Sequence, residues 1–474
     1  MNGRPLFFFF LLPCLMDVFA LALHSVALAW ESSKVRNYVS KPYMDEIFHV
    51  PQAQRYCMGD YASWDPKLTT PPGLYIISRG FSILSTAVGV DGCTPSALRM
   101  TNIFFSLGLL FVIDSLIGCL HPTSPAIRSR YALALVWFPV LFFFNGLYYT
   151  DTGSTFFVLL SYLLVNKRHY WAAGTAGIVS VTFRQTNIIW VLFFMVLVII
   201  QTLEDASKKS KETTAVYNPT FSNVTQFGDI VCSVKSLVVN TLYNIPTILP
   251  NVLVFGIALT GFAGFLVWNG GIVLGDRSNH LAGYNVPQLF YFSSFLSFFM
   301  APWILNIKNI SEVLMTLTKP KQLAMYFIGL VLSLYTVHKF TYEHPFLLSD
   351  NRHYTFYIWK NIYRRHWSVR YILTPFYLLS VKLNIAAIVP YVSVLHVIGY
   401  VFTLVLTLVP SPLLEFRYFI VPFLFYAVHF QPQLKRTYLA IAFYSIINLA
   451  TLYMFFNRTF EWASEPGSSQ RFMW

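Results

Sequence analysis

Charged side chains are scarce in this chain. Of its 474 residues only 11% are Asp, Glu, Lys or Arg, whereas 56% are apolar. A soluble globular domain carries about twice that charged fraction. The scarcity argues against a water-soluble domain and indicates that lipid surrounds most of the chain.

Cysteine gives little guidance about fold or chemistry. The five cysteines are scattered and odd in number, at positions 14, 57, 93, 119 and 232. They show neither a metal-binding spacing nor an obvious disulfide framework. No internal repeat of fixed period is visible either. The sequence therefore predicts no cysteine metal site and no disulfide network.

The balance of charge is strongly basic, with a net charge of +13. In a soluble protein this excess would favour a nucleic-acid partner. Here the basic residues stand in short loops between apolar runs, which is the pattern that orients membrane proteins. Aromatic residues, 18% of the chain, also suit a bilayer. We therefore expect a lipid bilayer around the protein and no nucleic acid.

About thirteen apolar runs approach the roughly 20 residues that a membrane-crossing helix needs. They lack the sustained period-2 alternation of barrel strands, so the sequence predicts an all-α polytopic membrane protein with about 12–14 transmembrane helices in one domain. The first run is longer than the apolar part of a signal peptide and is expected to be retained. The runs are 6–30, 97–120, 130–147, 153–166, 171–183, 187–203, 248–274, 286–306, 322–340, 369–381, 385–409, 413–431 and 437–456.

The segment 70–90 is a special case. It begins with Pro71-Pro72-Gly73, which breaks helices, and it contains Arg79. We predict that it forms a helix in the membrane interface and not a span.

The basic loops predict an orientation. With the amino terminus in the cytosol, residues 204–247 become a flexible cytosolic connection, while 31–96 and 341–368 become luminal loops. The polar clusters then collect near the luminal face. They are Asp45-Glu46, Asp151, Arg184-Gln185, Asp276-Arg277, Asp350 to His353, and Glu415-Arg417.

Paired acids stand in the first luminal loop. Asp45 or Glu46 could take a proton from a substrate hydroxyl, or one of them could simply cap a short interfacial helix. Glu46 and His49 also have an i, i+3 spacing that is found in metal sites, although a complete site would need acids on other helices.

The densest polar and aromatic segment begins at Asp350. Arg352 offers a planar set of donors that suits phosphate, and Asn351 and His353 can add hydrogen bonds. The alternative is an interfacial aromatic belt with a snorkelling arginine. Trp64, in a proline-rich turn, could stack on a sugar or could be structural.

Two arginines stand at the edges of apolar runs. Arg184 and Arg417 are candidate phosphate ligands, and structural ion pairs are an equal alternative. Because Glu415 and Arg417 are two positions apart, they would not share a helix face, so each is expected to need its own partner.

Several blocks of the chain resemble the dolichyl-phosphate-glucose α-1,2-glucosyltransferase family, from the first luminal loop to the last residue. Long uninterrupted blocks of this kind are specific. They are Tyr43 to His49, Gln52 to Tyr56, Phe183 to Trp190, Asn269 to Arg277, Asp350 to Tyr357, Leu414 to Phe419 and Arg471 to Trp474.

The resemblance implies a GT-C glycosyltransferase fold in the endoplasmic-reticulum membrane. It implies dolichyl-phosphate glucose as donor, a diglucosylated dolichol-diphosphate oligosaccharide as acceptor, and inversion to a terminal α-1,2-linked glucose. Enzymes of this fold place an acid, mostly Asp, in the first luminal loop, so the resemblance implies Asp45 in preference to Glu46 as the base. The donor-site candidates become Asp350, Asn351, Arg352, His353, Arg184, Arg417 and Trp64, with no metal and no cofactor.

Two other classes remain as alternatives. A transporter or flippase for lipid-linked sugars would also place arginines near lipid phosphate, but it tends to show repeat symmetry and broken helices. A non-catalytic membrane regulatory subunit would need no acid pair, which argues against that class only weakly. Glucose transfer between the two lipids by purified protein separates these classes.

Overall fold

The computed structural model describes residues 16–210, 216–276, 282–305 and 307–474, and within these ranges the fold is almost entirely helical. The first eleven helices are α1 (Val18–Tyr38), α2 (Glu46–Cys57), α3 (Gly73–Ala87), α4 (Pro95–Leu120), α5 (Pro125–Val136), α6 (Pro139–Asn145), α7 (Thr150–Asn166), α8 (Tyr170–Val181), α9 (Ile188–Ser210), α10 (Phe227–Tyr243) and α11 (Ile245–Asn269).

The second half of the chain continues in the same way, with shorter helices and one pair of strands near the end. These elements are α12 (Gln288–Phe299), α13 (Ala301–Ile304), α14 (Ile307–Leu317), α15 (Pro320–Phe340), α16 (Pro345–Ser349), α17 (Tyr354–Ile358), α18 (Val369–Ile372), α19 (Thr374–Ile388), α20 (Val394–Leu408), α21 (Ile420–Ala427), α22 (Leu434–Asn457), and the antiparallel strands β1 (Phe460–Glu461) and β2 (Ser469–Gln470).

The all-α polytopic class is confirmed, but the predicted number of full-length spans is corrected. In the described part of the chain six helices are long and apolar enough to cross a membrane, or seven if the bent pair α5 and α6 counts as one span. Other predicted runs form shorter helices. The 12 residues of α8, for example, reach only about 18 Å, less than the ~30 Å hydrocarbon core.

Short helices persist because other helices surround them. A bend of 74° separates α5 from α6, where Pro139 starts a new helix. At the centre of the core Phe138 stacks on Phe423 with ring centroids 4.0 Å apart and meets the edges of Phe295 and Phe299. Backbone groups at the breaks are thus covered by protein, as membrane depth requires.

The first predicted span, 6–30, is described only from residue 16 onward, so residues 6–15 of that prediction lie outside the described part. The helix α1 continues to Tyr38, eight residues beyond the predicted end. The segment 70–90 forms α3, a helix of 15 residues that starts directly after the predicted proline break.

The interpretation of 204–247 as a flexible polar connection is wrong for most of its length. The helix α9 reaches Ser210, and α10 adds 17 residues that begin with a capping box between Gln226 and Asp229. Ser233 of α10 faces the protein, whereas Phe227 is 77% and Leu242 is 65% exposed. This reversed polarity is typical of a helix beside lipid, because in water the apolar side would face inward.

A disulfide joins Cys57 to Cys93, although the spacing of the cysteines shows no obvious disulfide framework. It joins the end of α2 to the turn before α4 and encloses α3. Sequence spacing did not reveal this pair, because the two cysteines come together only after α3 folds back onto α2. Cys119 and Cys232 are free.

Asp45, Glu46, Trp64 and the Asp350 segment gather at one end of the molecule, which we call the Asp45 face and which comprises residues 39–96, 341–368 and 458–474. The hydroxyl of Tyr43 accepts a hydrogen bond from the Arg471 backbone N–H at 2.7 Å. The backbone of Met473 pairs with that of Arg352 and Tyr354. The carboxyl terminus is therefore built into the same face as Asp45.

The end of α11 also docks onto this face through a glycine. Gly275 has φ +66°, and the next residue donates its backbone N–H to the Pro66 carbonyl at 2.7 Å. A Cβ at position 275 would lie 2.2 Å from the same carbonyl oxygen. Only glycine combines this left-handed backbone with so close an approach.

We expect Gly275→Ala to destabilise the protein by about 1–3 kcal/mol, because it adds backbone strain and separates α11 from the first loop. Thermal unfolding of detergent-purified protein measures the change. The matched control is Gly264→Ala within α11, where an added Cβ meets nothing within 4 Å. Equal melting temperatures for the two variants would contradict the proposed contact.

Candidate active site

The turn before α2 points its two acids in different directions. Met44 has φ +55°, an uncommon conformation for a residue other than glycine. The turn is closed by Glu46, whose Oε2 accepts the Tyr43 backbone N–H at 3.0 Å. Asp45 is left at the edge of the turn.

Glu46 is fully buried and bound on all sides. Its carboxylate accepts two hydrogen bonds from Arg99, at 2.8 Å from Nε and 2.5 Å from Nη2, and a third from the Tyr148 backbone N–H at 2.6 Å. A carboxylate in this position holds the first loop to α4 and to the turn before α7. Glu46, one of the two predicted catalytic acids, therefore has the contacts of a structural group.

Asp45 has the contacts of a reactive group. Its side chain is 41% exposed, and among the described residues its carboxylate is bound through Oδ2 alone, by Arg417 Nη1 at 3.1 Å. Its backbone N–H donates to the Tyr149 hydroxyl at 3.1 Å, which fixes the main chain. One carboxylate oxygen thus remains open towards the surface of the Asp45 face.

The charge state of Asp45 follows from its neighbours. Burial is the largest single influence and acts to raise the pKa of its carboxyl, but the Arg417 guanidinium, His49 and His353 together lower that pKa by more. The net result is a pKa below the ordinary aspartate value of about 3.9. Asp45 is therefore ionised at neutral pH and can accept a proton.

Arg417 connects Asp45 to the second predicted arginine. It donates to Glu415 Oε2 at 2.8 Å and lies 3.9 Å from Asp151 Oδ2, while Arg184 donates to Asp151 Oδ1 at 2.8 Å. The two candidate phosphate ligands of the sequence are thus brought together around one buried acid. Their side chains keep exposures of 13% and 19%, so both remain within reach of a ligand.

The expectation that Glu415 and Arg417 need separate partners is wrong. The spacing argument assumed a regular α-helix, but Glu415 is extended, with φ −128° and ψ 133°, and it precedes a single 3-10 turn. An extended residue allows a carboxylate to meet the guanidinium two positions later.

The Asp350 segment is bound to the end of the chain. The Arg352 guanidinium donates to Asp350 at 2.7 and 2.9 Å and to Gln470 Oε1 at 3.0 Å, and it lies 4.5 Å from the centre of the Trp462 ring. Trp462 Nε1 in turn donates to Asn351 Oδ1 at 2.8 Å. These contacts account for much of the hydrogen-bonding capacity of Arg352, so its predicted contact with phosphate stays a prediction.

The remaining predicted residues have local partners. His353 Nδ1 lies 3.0 Å from the Trp474 carbonyl oxygen, and its Nε2 lies 3.9 Å from Asp350 Oδ2. Trp64 donates from Nε1 to the Leu68 carbonyl at 3.2 Å and packs beside Tyr75. The structural alternative therefore describes the Trp64 turn well, and its stacking on a sugar stays a prediction.

Metal binding by Glu46 and His49 has no geometric support. His49 Nδ1 is 2.6 Å from the Tyr75 hydroxyl, while Glu46 binds Arg99. In the ranges that the structure describes, no group of three or more histidine, cysteine or acidic side chains is arranged to hold a metal ion.

Sequence reasoning missed several residues that shape the site. Arg99 lies within the predicted apolar run 97–120, although an arginine at the edge of such a run signals a buried partner. Tyr149 carried no signal beyond its position after an apolar run. Trp462 and Gln470 lie in a short polar tail whose role depends on contacts across the whole chain.

A carboxylate that is ionised and half-exposed, next to two arginines that share Asp151, can perform two tasks at once. The carboxylate of Asp45 can receive a proton from a hydroxyl group. Arg417 and Arg184 can stabilise an anionic group, because their fixed positive charges need no rearrangement. This combination suits the transfer of a group from a phosphate to a hydroxyl.

Comparison with known proteins gives a consistent picture. A family model described as the DIE2/ALG10 family matches residues 39–428. A human protein named Dol-P-Glc:Glc(2)Man(9)GlcNAc(2)-PP-Dol alpha-1,2-glucosyltransferase is 38% identical over 455 residues, covering 92% of this chain and 93% of its own. Proteins of the same name from Arabidopsis thaliana and Drosophila melanogaster are each 32% identical, covering 96% and 95% of this chain and 99% and 97% of theirs.

Two solved structures of an Archaeoglobus fulgidus oligosaccharyltransferase are also similar. One is a complex with zinc and sulfate, and the other contains an inhibitory peptide and a dolichol-phosphate. Their TM-scores are 0.31 and 0.32 at 10% and 14% identity, and this chain spans about half of their length, 54% in both. A structural similarity this weak does not by itself indicate the fold or the function of this chain.

We expect Glu46→Gln to lower the stability of the protein by about 3–5 kcal/mol, because it leaves the buried Arg99 without a counter-charge. Thermal unfolding and the yield of monodisperse protein measure the effect. The matched control is Glu461→Gln, an exposed acid on the same face. A Glu46→Gln protein as stable as the control would show that the buried pair is dispensable.

Proposed function

The chain belongs to the DIE2/ALG10 family, and from that membership we propose that it transfers glucose from dolichyl-phosphate glucose to a dolichol-diphosphate oligosaccharide that already carries two glucoses. The product carries a third, terminal glucose in α-1,2 linkage. The observation that carries this proposal is the match to glucosyltransferases over 92–96% of the chain. Membership of the family also implies the GT-C fold.

The residues of the site support a direct displacement. A β-linked donor that gives an α-linked product requires inversion, so the acceptor hydroxyl attacks the anomeric carbon opposite the phosphate. The C–O bond to dolichyl phosphate breaks as the new glycosidic bond forms, and the hydroxyl proton passes to Asp45. Its open carboxylate oxygen and its ionised state suit this role, whereas the buried Glu46 serves as a positioning residue.

The leaving group is a phosphate whose charge grows during the reaction. Arg417 and Arg184 are well placed to stabilise it, because both stand beside the acid network that contains Asp45. Fixed donors of this kind lower the barrier more than mobile solvent does. Arg352 and His353, further along the same face, can complete the donor site.

The site faces the lumen of the endoplasmic reticulum in this proposal. The disulfide between Cys57 and Cys93 supports that side, because disulfides form and persist in oxidising compartments. Asp45, the disulfide and the carboxyl terminus share one face, so all three are luminal together. The cytosolic side then holds α10 and the basic loops that the positive-inside rule places there.

A transporter or flippase, or a regulatory subunit without chemistry, is not favoured. The relatives are named for glucose transfer, and the match extends over nearly their whole length. The site also contains an available base, which carriage of a lipid across the membrane does not require.

Asp45→Asn should lower kcat by roughly 10²–10⁴, because basicity is lost. Donor binding and melting temperature should stay close to those of the parent protein, because Asn nearly preserves the shape and can still accept from Arg417, which keeps Glu415 and Asp151 as counter-charges. Glucose transfer between purified lipids and a donor-binding titration measure the two effects. Asp91→Asn, an exposed acid in the same loop, serves as the control. Normal turnover in Asp45→Asn would remove the first loop as the source of the base.

The orientation can be tested in sealed microsomes with single cysteines added to a chain in which the free cysteines are replaced by serine. Ser222→Cys, an exposed position just before α10, should react with a membrane-impermeant maleimide in intact vesicles. Ser468→Cys, exposed on the Asp45 face, should react only after permeabilisation. The reverse pattern would overturn the luminal assignment.

A further inference from the structure

A second positively charged surface overlaps the Asp45 face and extends beyond it into α15 and α18. It consists of five basic side chains, which we call the basic rim. Lys339 belongs to the last turn of α15, Lys360 to the turn after α17, and Arg364 and Arg365 follow that turn, while Arg370 lies in α18. All but Arg370 are exposed. The function proposed above does not use any of them.

The basic rim has little negative charge to neutralise it. Between residues 339 and 371 the only acids are Glu343 and Asp350, and Asp350 is paired with Arg352. Glu343 lies 3.6 Å from Arg364. One exposed acid against five cations leaves a strong excess of positive charge on one surface.

A π-helical turn, Trp359–Tyr363, presents part of this surface outward. Trp359 is 3% exposed, stacks on Tyr363 with ring centroids 4.7 Å apart, and donates from Nε1 to Glu343. The two aromatic anchors point inward, so Lys360 and its neighbours point outward. Single π-helical turns of this kind are frequent at functional sites.

The position of the basic rim at the membrane edge also needs an explanation. The rim joins the end of α15 to the span Val369–Tyr391, and Trp367 beside it is 71% exposed. Short luminal loops are normally poor in lysine and arginine. A cluster of cations on the luminal side is an exception to that rule, which points to a function for these charges.

We propose that the basic rim binds the diphosphate group of the acceptor lipid. This inference rests on the function proposed above. The donor phosphate is attached directly to the glucose that is transferred, so it must lie beside Asp45. The acceptor diphosphate is attached at the far end of the oligosaccharide, separated from the reacting glucose by mannose and N-acetylglucosamine units.

The contacts of Asp45 agree with separate sites for the donor phosphate and the acceptor diphosphate. Its carboxylate is bound by Arg417, which does not belong to the basic rim. A diphosphate carries more negative charge than the single phosphate of the donor, which suits several cations at a polar interface. The dolichol chain would enter the bilayer beside α15 and α19.

The test is a triple substitution, Lys360→Gln with Arg364→Gln and Arg365→Gln, in the full-length protein in detergent. We expect the KM for the acceptor lipid to rise at least about tenfold. Each cation near a lipid surface changes binding by about tenfold or somewhat less, and the variant removes three of them. The KM for dolichyl-phosphate glucose and the kcat at saturating acceptor should not change. Inorganic diphosphate should compete with the acceptor in the parent protein and much less in the variant.

The matched control removes three exposed cations from the opposite face, by Lys319→Gln, Lys321→Gln and Lys435→Gln. Its acceptor KM should equal that of the parent. An unchanged acceptor KM in the basic-rim variant would overturn the inference, as would a rise in the donor KM instead. A requirement for anionic phospholipid that the variant loses, with acceptor KM unchanged, would assign the rim to headgroups. Absence of any glucose transfer by the parent protein would contradict the proposed function itself.

Discussion

The ion pair between Glu46 and Arg99 is the interaction on which the arrangement of the candidate site depends. Both side chains are almost completely removed from solvent, at 0% and 5% exposure, so neither charge could remain there without the other. Arg99 also donates hydrogen bonds to the backbone carbonyls of Val39 and Lys41, so one guanidinium binds both the backbone of the first loop and its buried carboxylate. The pair thereby fixes the one loop that carries Asp45 against α4.

Asp45 is positioned by the ion pair between Glu46 and Arg99 but is not a member of it. The turn that buries Glu46 leaves its neighbour at the surface, and the Tyr149 hydroxyl holds the Asp45 backbone in place. The base of the proposed reaction is therefore positioned by rigid protein while its carboxylate stays accessible. Such a division between positioning and reacting groups keeps a reactive side chain in a productive geometry.

The carboxyl-terminal residues close the same face from the other side. Arg471 donates to the backbone carbonyls of Tyr38, Phe455 and Phe456, so it joins the ends of α1 and α22. Its own backbone meets Tyr43, two residues before Asp45. The last residues of the chain thus complete the surroundings of the first loop. This agrees with the blocks of family resemblance, which extend to Trp474.

The sequence by itself determined the helical membrane class and the family, and it singled out Asp45, Arg184 and Arg417 among its candidate site residues. These follow from composition, from the few charged residues beside apolar runs, and from the blocks that resemble a known family. Tertiary structure alone decided that Glu46 is buried against Arg99 and that Glu415 pairs with Arg417. It also decided that Cys57 meets Cys93 and that Arg352 binds the end of the chain. The physical reason is that burial and pairing depend on residues far apart in the chain, such as Glu46 and Arg99, whereas local spacing carries information only about neighbours within the same element.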